Sequence, residues 1–216
     1  MTETKRGRGR PRRSEGPAID LDKLLDAAAR AFATQGYDAT SVRKLAREIG
    51  ISHSLAHHYY DTKLDLWKAC IDRGFGNMQR EMLLVFQARS EGGSFEQGIR
   101  SMVSAYVELA EKFSDYILIL LQEAGRGGDR FDFIIKQYFE NFMRLARDYH
   151  QQSVDAGAIK DIPWQTLFTM IFLGGPARYA LAPLVQVLND NQPDDVNPEQ
   201  HGAQVSELLL KGLLPD

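Results

Sequence analysis

The chain has 216 residues, of which 44% are hydrophobic and 25% charged, and it holds a single cysteine, Cys70. That size and balance suit one domain or two small ones around a substantial apolar core, and they argue against general disorder. One cysteine excludes an internal disulfide and fits a reducing cytosol. The basic, glycine-rich N-terminus has no apolar run behind it and so lacks the form of a secretory signal. The longest uncharged run, Ile162 to Ala177, is 16 residues and contains Gly174-Gly175-Pro176. It falls short of the ~18–20 residues needed to span a bilayer, so no membrane partner is expected and a cytoplasmic location is.

The net charge of −3 hides an asymmetry. Residues 1–13 carry Lys5, Arg6, Arg8, Arg10, Arg12 and Arg13 against Glu3 alone. Residues 1–68 hold 13 basic and 9 acidic side chains, whereas residues 69–216 hold 13 and 20. A basic end on an acidic body points to a polyanionic partner for the first third only.

In chain order, residues 1–18 are rich in Gly, Arg and Pro and are expected to form a flexible basic arm. Asp20 is placed to cap a first helix, with Leu21, Leu24, Leu25, Ala28, Ala31 and Phe32 at helical spacing and Gly36 as its stop. Thr40 starts a second, short helix with Val42, Leu45, Ala46 and Ile49 on one face, and Gly50 closes it. Ser52 caps a third that ends near Tyr59-Tyr60. Thr62-Lys63-Leu64-Asp65 has the form of a capping box, with Asp where Glu or Gln is usual. It opens a long fourth helix with Trp67, Ile71, Phe75, Met78, Met82 and Val85 facing inward.

The remainder is also expected to be helical. Ser94-Phe95-Glu96-Gln97 is a second capping box, followed by Ile99, Met102, Tyr106, Leu109 and Phe113 at steps of three and four. The apolar run Tyr116 to Leu121 suits a helix buried on most sides, and Gly125-Arg126-Gly127-Gly128 breaks the chain. Phe131 to about Val154 predicts a helix with Ile135, Phe139, Phe142, Ala146 and Tyr149 on one stripe. Ile134, Tyr138 and Leu145 widen that stripe, which places the helix inside a bundle. Ala156-Gly157 ends it. Pro163 suits the first turn of the next helical region, which Gly174-Gly175-Pro176 and Pro183 kink or split. After a polar loop, Val205, Leu208, Leu209 and Leu213 mark a last amphipathic helix. With no strand pattern and no internal repeat, the fold class is all-α: a three-helix N-terminal domain with a helix-turn-helix (residues 19–66), joined by a long helix to a helical bundle (67–216).

The most informative stretch is Thr40 to Tyr60. Ala46 is small where two helices would cross, Gly50 can adopt the left-handed conformation that ends the first, and Ser52 caps the second. These are the demands of a helix-turn-helix, which lays its second helix in the major groove of DNA with its N-terminal residues at the base edges. An αα-corner in any helical protein uses the same turn chemistry.

Over Leu24 to Ile71 the sequence resembles the N-terminal domain of TetR-family transcriptional regulators. The matching features are LLDAAARAFATQGYDATSVRKLA, the turn GIS, and the aromatic pair before a capped lysine in YYDTK. The resemblance covers about 50 residues and implies a homodimer whose two heads read half-sites of a palindromic operator. It also implies a ligand pocket in the C-terminal bundle that sets the head spacing. By that resemblance the recognition helix is Ser52 to Tyr59, carrying Ser52, His53, Ser54, Leu55, His57, His58 and Tyr59. Thr40, Ser41, Arg43 and Lys63 flank it at the DNA surface, and backbone N–H groups at these helix starts would help hold phosphate. The sequence departs from the family where HSLAHHYY replaces a run more like KGTLYHHF. That reverses the order of small and large residues at Leu55 and Ala56 and puts His57 where Tyr is usual. Leu55 then faces either the core or the groove, where it would touch a thymine methyl. These departures bear on the operator sequence more than on the fold.

In the arm, Arg6, Arg8, Arg10, Arg12 and Arg13 surround a Gly-Arg-Pro core that resembles an AT-hook, which lays arginines along a narrow A·T minor groove. A solvated charged tail has the same composition. His53, His57 and His58 lack a nearby cysteine to complete a metal site, and the His-Glu-x-x-His pattern is missing, so no metal and no cofactor are expected. Cys70 lies on the seam of the fourth helix, as a small core residue would. No arrangement of Ser, His and Asp or of paired carboxylates indicates catalysis, so the chain is read as a non-enzyme.

An effector pocket would draw its apolar lining from Phe113, Tyr116, Leu120, Phe139, Phe142, Met143 and Phe172, with Glu123 and Asn141 as orienting polar groups. Such a lining favours an apolar or aromatic effector. Trp164 to Leu188 and Gln200 to Leu214 are the expected dimer surface, because Arg178 is the single charge between Ile162 and Leu188 and that stretch must be deep core or interface. The functional expectation is a repressor of palindromic sites, a homodimer on double-stranded DNA that a small effector releases. The alternative is an architectural protein of A·T-rich DNA without an effector.

Overall fold

In a computed structural model the described residues, 21–90, 95–192 and 196–215, are helical and contain no strand. The N-terminal head comprises α1 (Leu21–Ala39), α2 (Val42–Glu48) and α3 (His53–Tyr59). The body comprises α4 (Lys63–Ser90), α5 (Phe95–Lys112), α6 (Ser114–Arg126) and α7 (Asp129–Ile134), then α8 (Glu140–Asp155) and α9 (Trp164–Thr169). It ends with α10 (Ala177–Ala180), α11 (Ala182–Leu188) and α12 (Pro198–Leu213). The arm arginines, the cap at Asp20, the side chain of Val85 and the cap at Ser94 lie outside the described residues.

The head agrees closely with its sequence signals. Leu24, Leu25, Ala28, Ala31 and Phe32 of α1 are buried together with Leu45 and Ala46 of α2 and Ala56 of α3. Gly36, at φ 78°, breaks the regular geometry of α1, although the helix resumes through Ala39. The Thr62–Asp65 capping box forms reciprocally: the Thr62 N–H donates to Asp65 Oδ2 at 3.0 Å and the Asp65 N–H to Thr62 Oγ1 at 3.1 Å. An aspartate side chain is therefore long enough to close the box here.

At 28 residues, α4 runs about 42 Å at 1.5 Å per residue, which lets one helix belong to both head and body. Leu66, Trp67, Cys70, Ile71, Phe75 and Met78 on it are buried in one continuous cluster reaching from Leu24 of the head to Phe139 of the body. α6 lies against α4 at Gly74, where a Cβ would fall 2.0 Å from the Tyr116 ring. α5 carries α12 through a small-residue seam: Ser104 Oγ donates to Ser206 Oγ at 3.1 Å, and a Cβ on Gly202 would fall 2.8 Å from the Ser104 carbonyl oxygen.

Three sequence expectations shift. α6 continues through Gly125 to Arg126, because the break needs the positive φ of Gly127 (70°) and Gly128 (88°). The helix expected from Phe131 starts at Asp129 and carries a π-turn at Ile135–Phe139. The wider turn rotates α8 relative to an ideal 3.6-residue repeat, so Ile134 and Phe139 are buried while Phe142, Leu145 and Tyr149 are exposed. The stripe predicted to face a bundle interior thus points outward over α8. Gly175 serves close packing within the chain, a Cβ there falling 2.3 Å from Val107 Cγ2, while Gly174 is open. Within Ile162–Leu188, where Arg178 is the single charge, Met170, Leu173, Leu181, Leu184, Val187 and Leu188 are all exposed, so this part is not deep core.

Candidate nucleic-acid interface

α2 and α3 are joined by a turn held by side-chain caps and by backbone hydrogen bonds that close α2. Ser41 Oγ accepts from the Lys44 N–H at 3.4 Å, capping α2. At the other end the Gly50 N–H donates to the Arg47 carbonyl at 3.2 Å, and the Ile51 N–H returns to the Ala46 carbonyl at 2.9 Å. That wrap requires Gly50 at φ 77°, with nothing within 4 Å of where its Cβ would be, so the demand for glycine here is conformational. Ser52 Oγ then accepts from the Leu55 N–H at 3.2 Å and starts α3. Ala46 and Ala56, both fully buried, let the two short helices cross closely.

The crossing settles the reversed small–large pair: Ala56 faces the core and Leu55 is half-buried beside it. His53, Ser54, His57, His58 and Tyr59 make up the exposed face of α3, with Ser52 at its start. Ser41 and Arg43 are exposed on the neighbouring edge of α2. Arg43, Lys44 and Arg47 on this edge face a single acid of α2, Glu48, which pairs with Lys44 at 3.9 Å.

Two of the expected DNA-facing residues are engaged within the head. Thr40 is buried, and its hydroxyl donates to the Gly36 carbonyl at 2.8 Å. Lys63 Nζ donates to the carbonyls of Tyr37 (2.9 Å), Asp38 (3.0 Å) and Thr40 (3.2 Å), capping the end of α1 from the start of α4. Lysine suits this position because an ammonium offers three donors to the unpaired carbonyls at a helix C-terminus, where cations are also favoured.

The body meets the head at a polar joint that the sequence did not signal. Glu123 is buried on α6, with Oε1 accepting from Arg130 Nε at 2.9 Å. The Arg130 guanidinium lies 4.1 Å from the centre of the Tyr37 ring, and Lys63 Nζ lies 4.5 Å from the same centre. Gln122 Nε2 donates to the Ala33 carbonyl at 2.6 Å, and Arg126 pairs with Asp38 at 3.5 Å. The two ends of α6 thus play different parts, its C-terminal turn holding the end of α1. Burial raises the titration of Tyr37 above the usual phenol range, while the nearby Arg130 charge lowers it. Tyr37 and Arg130 are 93 positions apart, and no local pattern links them.

Of the expected effector lining, the structure brings Phe113, Tyr116, Phe139 and Phe172 together. Phe75 packs 6.1 Å from Tyr116 and 5.4 Å from Phe139, Phe113 lies 6.3 Å from Tyr116, and Phe139 lies 5.2 Å from Phe172. Leu120 is buried beside them and Met143 is half-buried against the same cluster. Asn141 and Phe142 lie apart on the outer face of α8, and Glu123 is committed to Arg130. Two concavities open elsewhere, one of about 380 Å³ lined by residues of α10 and α11 and one of about 320 Å³ between α8 and α9. Cys70 is in the core as expected, and burial pushes its thiol up to about 12. Among the described residues no group of His, Cys, Asp and Glu is placed to hold a metal, and no helix is long and apolar enough to cross a membrane.

The sequence model for the bacterial regulatory proteins of the tetR family matches residues 24–70, the span that forms this head. Over this head, then, the chain is similar to the tetR family of bacterial regulatory proteins. A curated relative, the HTH-type transcriptional regulator BetI of Rhizobium meliloti, is 35% identical over 65 residues. The match takes in 30% of this chain and 32% of BetI, so the chain spans about a third of the length of that relative. Solved structures extend the likeness of fold to the body. The ketosteroid transcriptional regulator KstR2 of Mycobacterium tuberculosis superposes with a TM-score of 0.67 at 19% identity, covering 90% of this chain and 95% of that one. A tetR-family regulatory protein from Rhodococcus RHA1 gives 0.69 at 18% identity (90% and 97% covered). FadR of Bacillus subtilis, solved with stearoyl-CoA, gives 0.60 at 17% (89% and 98%).

Proposed function

We propose that this chain is a TetR-family transcriptional repressor that binds a palindromic DNA site as a homodimer and is released by a small apolar or aromatic effector. The observation that carries the DNA reading is the capped, close-crossed pair α2–α3, which leaves one polar face of α3 exposed and free of packing. Such a helix enters the major groove with its first residues at the base edges, and two copies read half-sites one helical turn apart, ~34–36 Å. The expected contacts are Ser52, His53, Ser54, Leu55, His57, His58 and Tyr59 at the bases, and Ser41 and Arg43 at phosphate. Arg6, Arg8, Arg10, Arg12 and Arg13 of the arm supply further affinity from the backbone or minor groove.

The dimer reading rests on exposed apolar area. Met170, Leu184, Val187, Leu188 and Leu208 are each more than half exposed in the single chain, within Trp164–Leu188 and Gln200–Leu214. Large apolar side chains left exposed in this number are the kind of surface that an interface covers. For the effector, the cluster of Phe113, Tyr116, Leu120, Phe139, Met143 and Phe172 offers apolar surface without a free charge. Two proteins of similar fold carry names that point the same way, a ketosteroid regulator and a FadR bound to stearoyl-CoA. Release is a population shift: an effector that prefers a different head spacing lowers DNA affinity by its differential affinity for the two spacings, commonly ~1–3 kcal/mol.

The test is selection of bound fragments from the source genome by purified full-length protein at ~150 mM salt, a level that suppresses weak nonspecific binding. One or a few palindromic sites support the proposal. Diffuse A·T-rich DNA would instead indicate an architectural protein, and recovery of nothing would refute DNA binding.

A further inference from the structure

The recognition helix reads HSLAHHY and contains no lysine, arginine, aspartate or glutamate. Cationic charge on it can come only from His53, His57 and His58. All three are exposed, and none hydrogen-bonds or ion-pairs with a described residue; they make ring contacts alone. The His53 and His57 rings lie one helical turn apart with centres at 6.2 Å and planes within 3° of parallel. His58 meets Tyr59 edge-on at 5.3 Å.

We infer that these three imidazoles are the cationic DNA contacts of the recognition helix, and that DNA binding takes up protons at them. The inference rests on the DNA-binding function proposed above and adds its proton linkage. A neutral imidazole has one donor and one acceptor, whereas an imidazolium has two donors. Phosphate oxygens and the O6 and N7 edge of guanine are acceptors only. Against phosphate or a guanine edge, both nitrogens of a ring therefore find partners only in the protonated form. In the free helix two parallel imidazoliums one turn apart repel each other; against a polyanion that repulsion is offset. Histidine is the side chain whose charge changes between about pH 5 and 8, so the coupling falls in an accessible range.

The surrounding charges leave the three rings to the DNA. α2 packs against α3 and carries Arg43, Lys44, Arg47 and Glu48, with Lys44 and Glu48 paired at 3.9 Å. In the turn between α3 and α4, Asp61 is exposed; at the start of α4, Asp65 is bound to Thr62, and Lys63 is bound to the carbonyls that end α1. Where α1 and α4 meet, Asp22 and Asp26 pair with Arg73. No carboxylate among these is bonded to an imidazole, so none of them is a fixed anion that would hold the rings charged before DNA arrives.

The experiment measures affinity of the full-length protein by fluorescence anisotropy. It uses a duplex recovered by the genomic selection and a random-sequence duplex of the same length, each at pH 5.5 and 8.0 and at several salt concentrations. About tenfold tighter binding at pH 5.5 is expected. The slope of log Kd on log salt should be steeper there by about 2, at ~0.9 per added phosphate contact. The H53Q/H57Q/H58Q variant should bind more weakly and vary less than twofold with pH. H150Q/H201Q removes the other two of the five histidines and should keep the full pH effect. Calorimetry of the unmodified protein at pH 6.5 in buffers of different ionisation heat needs no variant, and should show net proton uptake on binding. Equal affinity at both pH values, a pH effect that survives in the triple variant, or zero proton uptake overturns the inference while DNA binding itself stands. Binding to neither duplex at either pH overturns both.

Discussion

Removing the cation from the joint between head and body should destabilise the protein more than removing the whole ion pair. Glu123 keeps only 3% of its side chain exposed and has Arg130 as its charged partner at 2.9 Å. Arg130→Met would leave that carboxylate buried without a counter-charge. Breaking a fully buried pair in this way costs ~3–5 kcal/mol. The Arg130 side chain is 24% exposed, so water reaches the vacated space and the cost should lie lower, at about 2–3 kcal/mol. For a chain of this size that is a fall of about 5–10 °C in the thermal midpoint. Glu123→Leu on the same background removes the stranded charge, and a well-packed apolar replacement of a buried pair is often neutral. The double variant should therefore return to within about 1 kcal/mol of the parent, a coupling that a double-mutant cycle reads directly. Urea melts of the four proteins provide the assay. Equal loss in the single and double variants would refute an electrostatic joint and reduce it to packing.

Single contacts lead to other expected outcomes. Ser52→Ala removes the acceptor for the Leu55 N–H at 3.2 Å, and should cost ~1 kcal/mol and speed amide exchange within α3. Gly175→Ala places a Cβ 2.3 Å from Val107 Cγ2 and should lower stability by ~1–3 kcal/mol, with Val107→Ala on the same background recovering part of the loss. Cys70, its thiol raised by burial from 9.0 to about 12, should resist a thiol reagent at pH 8 in the native protein and react once unfolded. The sign of that shift means the folded state retains a proton the unfolded chain loses, so this group's contribution to stability declines as pH rises past about 9. Val187→Glu with Leu188→Glu alters side chains that are 64% and 76% exposed, so the fold should survive while sedimentation shows loss of the dimer. A dimer that persists would place the interface elsewhere, for instance on the exposed Phe142, Leu145 and Tyr149 face of α8.

The difference between what the sequence reveals about the head and about the body is one of interaction range. Ser41, Gly50, Ser52 and the Thr62–Asp65 pair act on groups within about five residues, so a short window contains both the cause and the effect. The Leu55–Ala56 inversion needed the crossing with Ala46 to decide which residue was buried, and the three carbonyls gathered by Lys63 lie more than 20 positions away. In the body, apolar periodicity identified the helices and the buried faces of α4 and α5, but not the face of α8. The π-turn at Ile135–Phe139 carries no local signature in its apolar residues, yet it turned the Phe142–Leu145–Tyr149 stripe to solvent. Assigning faces from periodicity assumes constant pitch, and a single wide turn violates it.

Range also bears on how the chain would transmit a signal. Leu66 and Trp67 are adjacent on α4 and both fully buried in the core that runs from head to body, so no flexible linker separates the two. A shift of α6 at its aromatic end, around Tyr116 and Leu120, is rigidly tied to Gln122, Glu123 and Arg126 at its other end. Those residues hold Ala33, the Arg130–Tyr37 stack and Asp38 of α1. Close-packed elements of this kind respond by discrete displacement more readily than by gradual deformation. An effector seated among the aromatic rings would then move α1 through polar contacts that depend on geometry to within a few tenths of an ångström. Glu123, expected from the sequence to orient a ligand, would then belong to the transmission path instead: its replacement should change how far DNA affinity falls on effector binding more than it changes effector affinity itself.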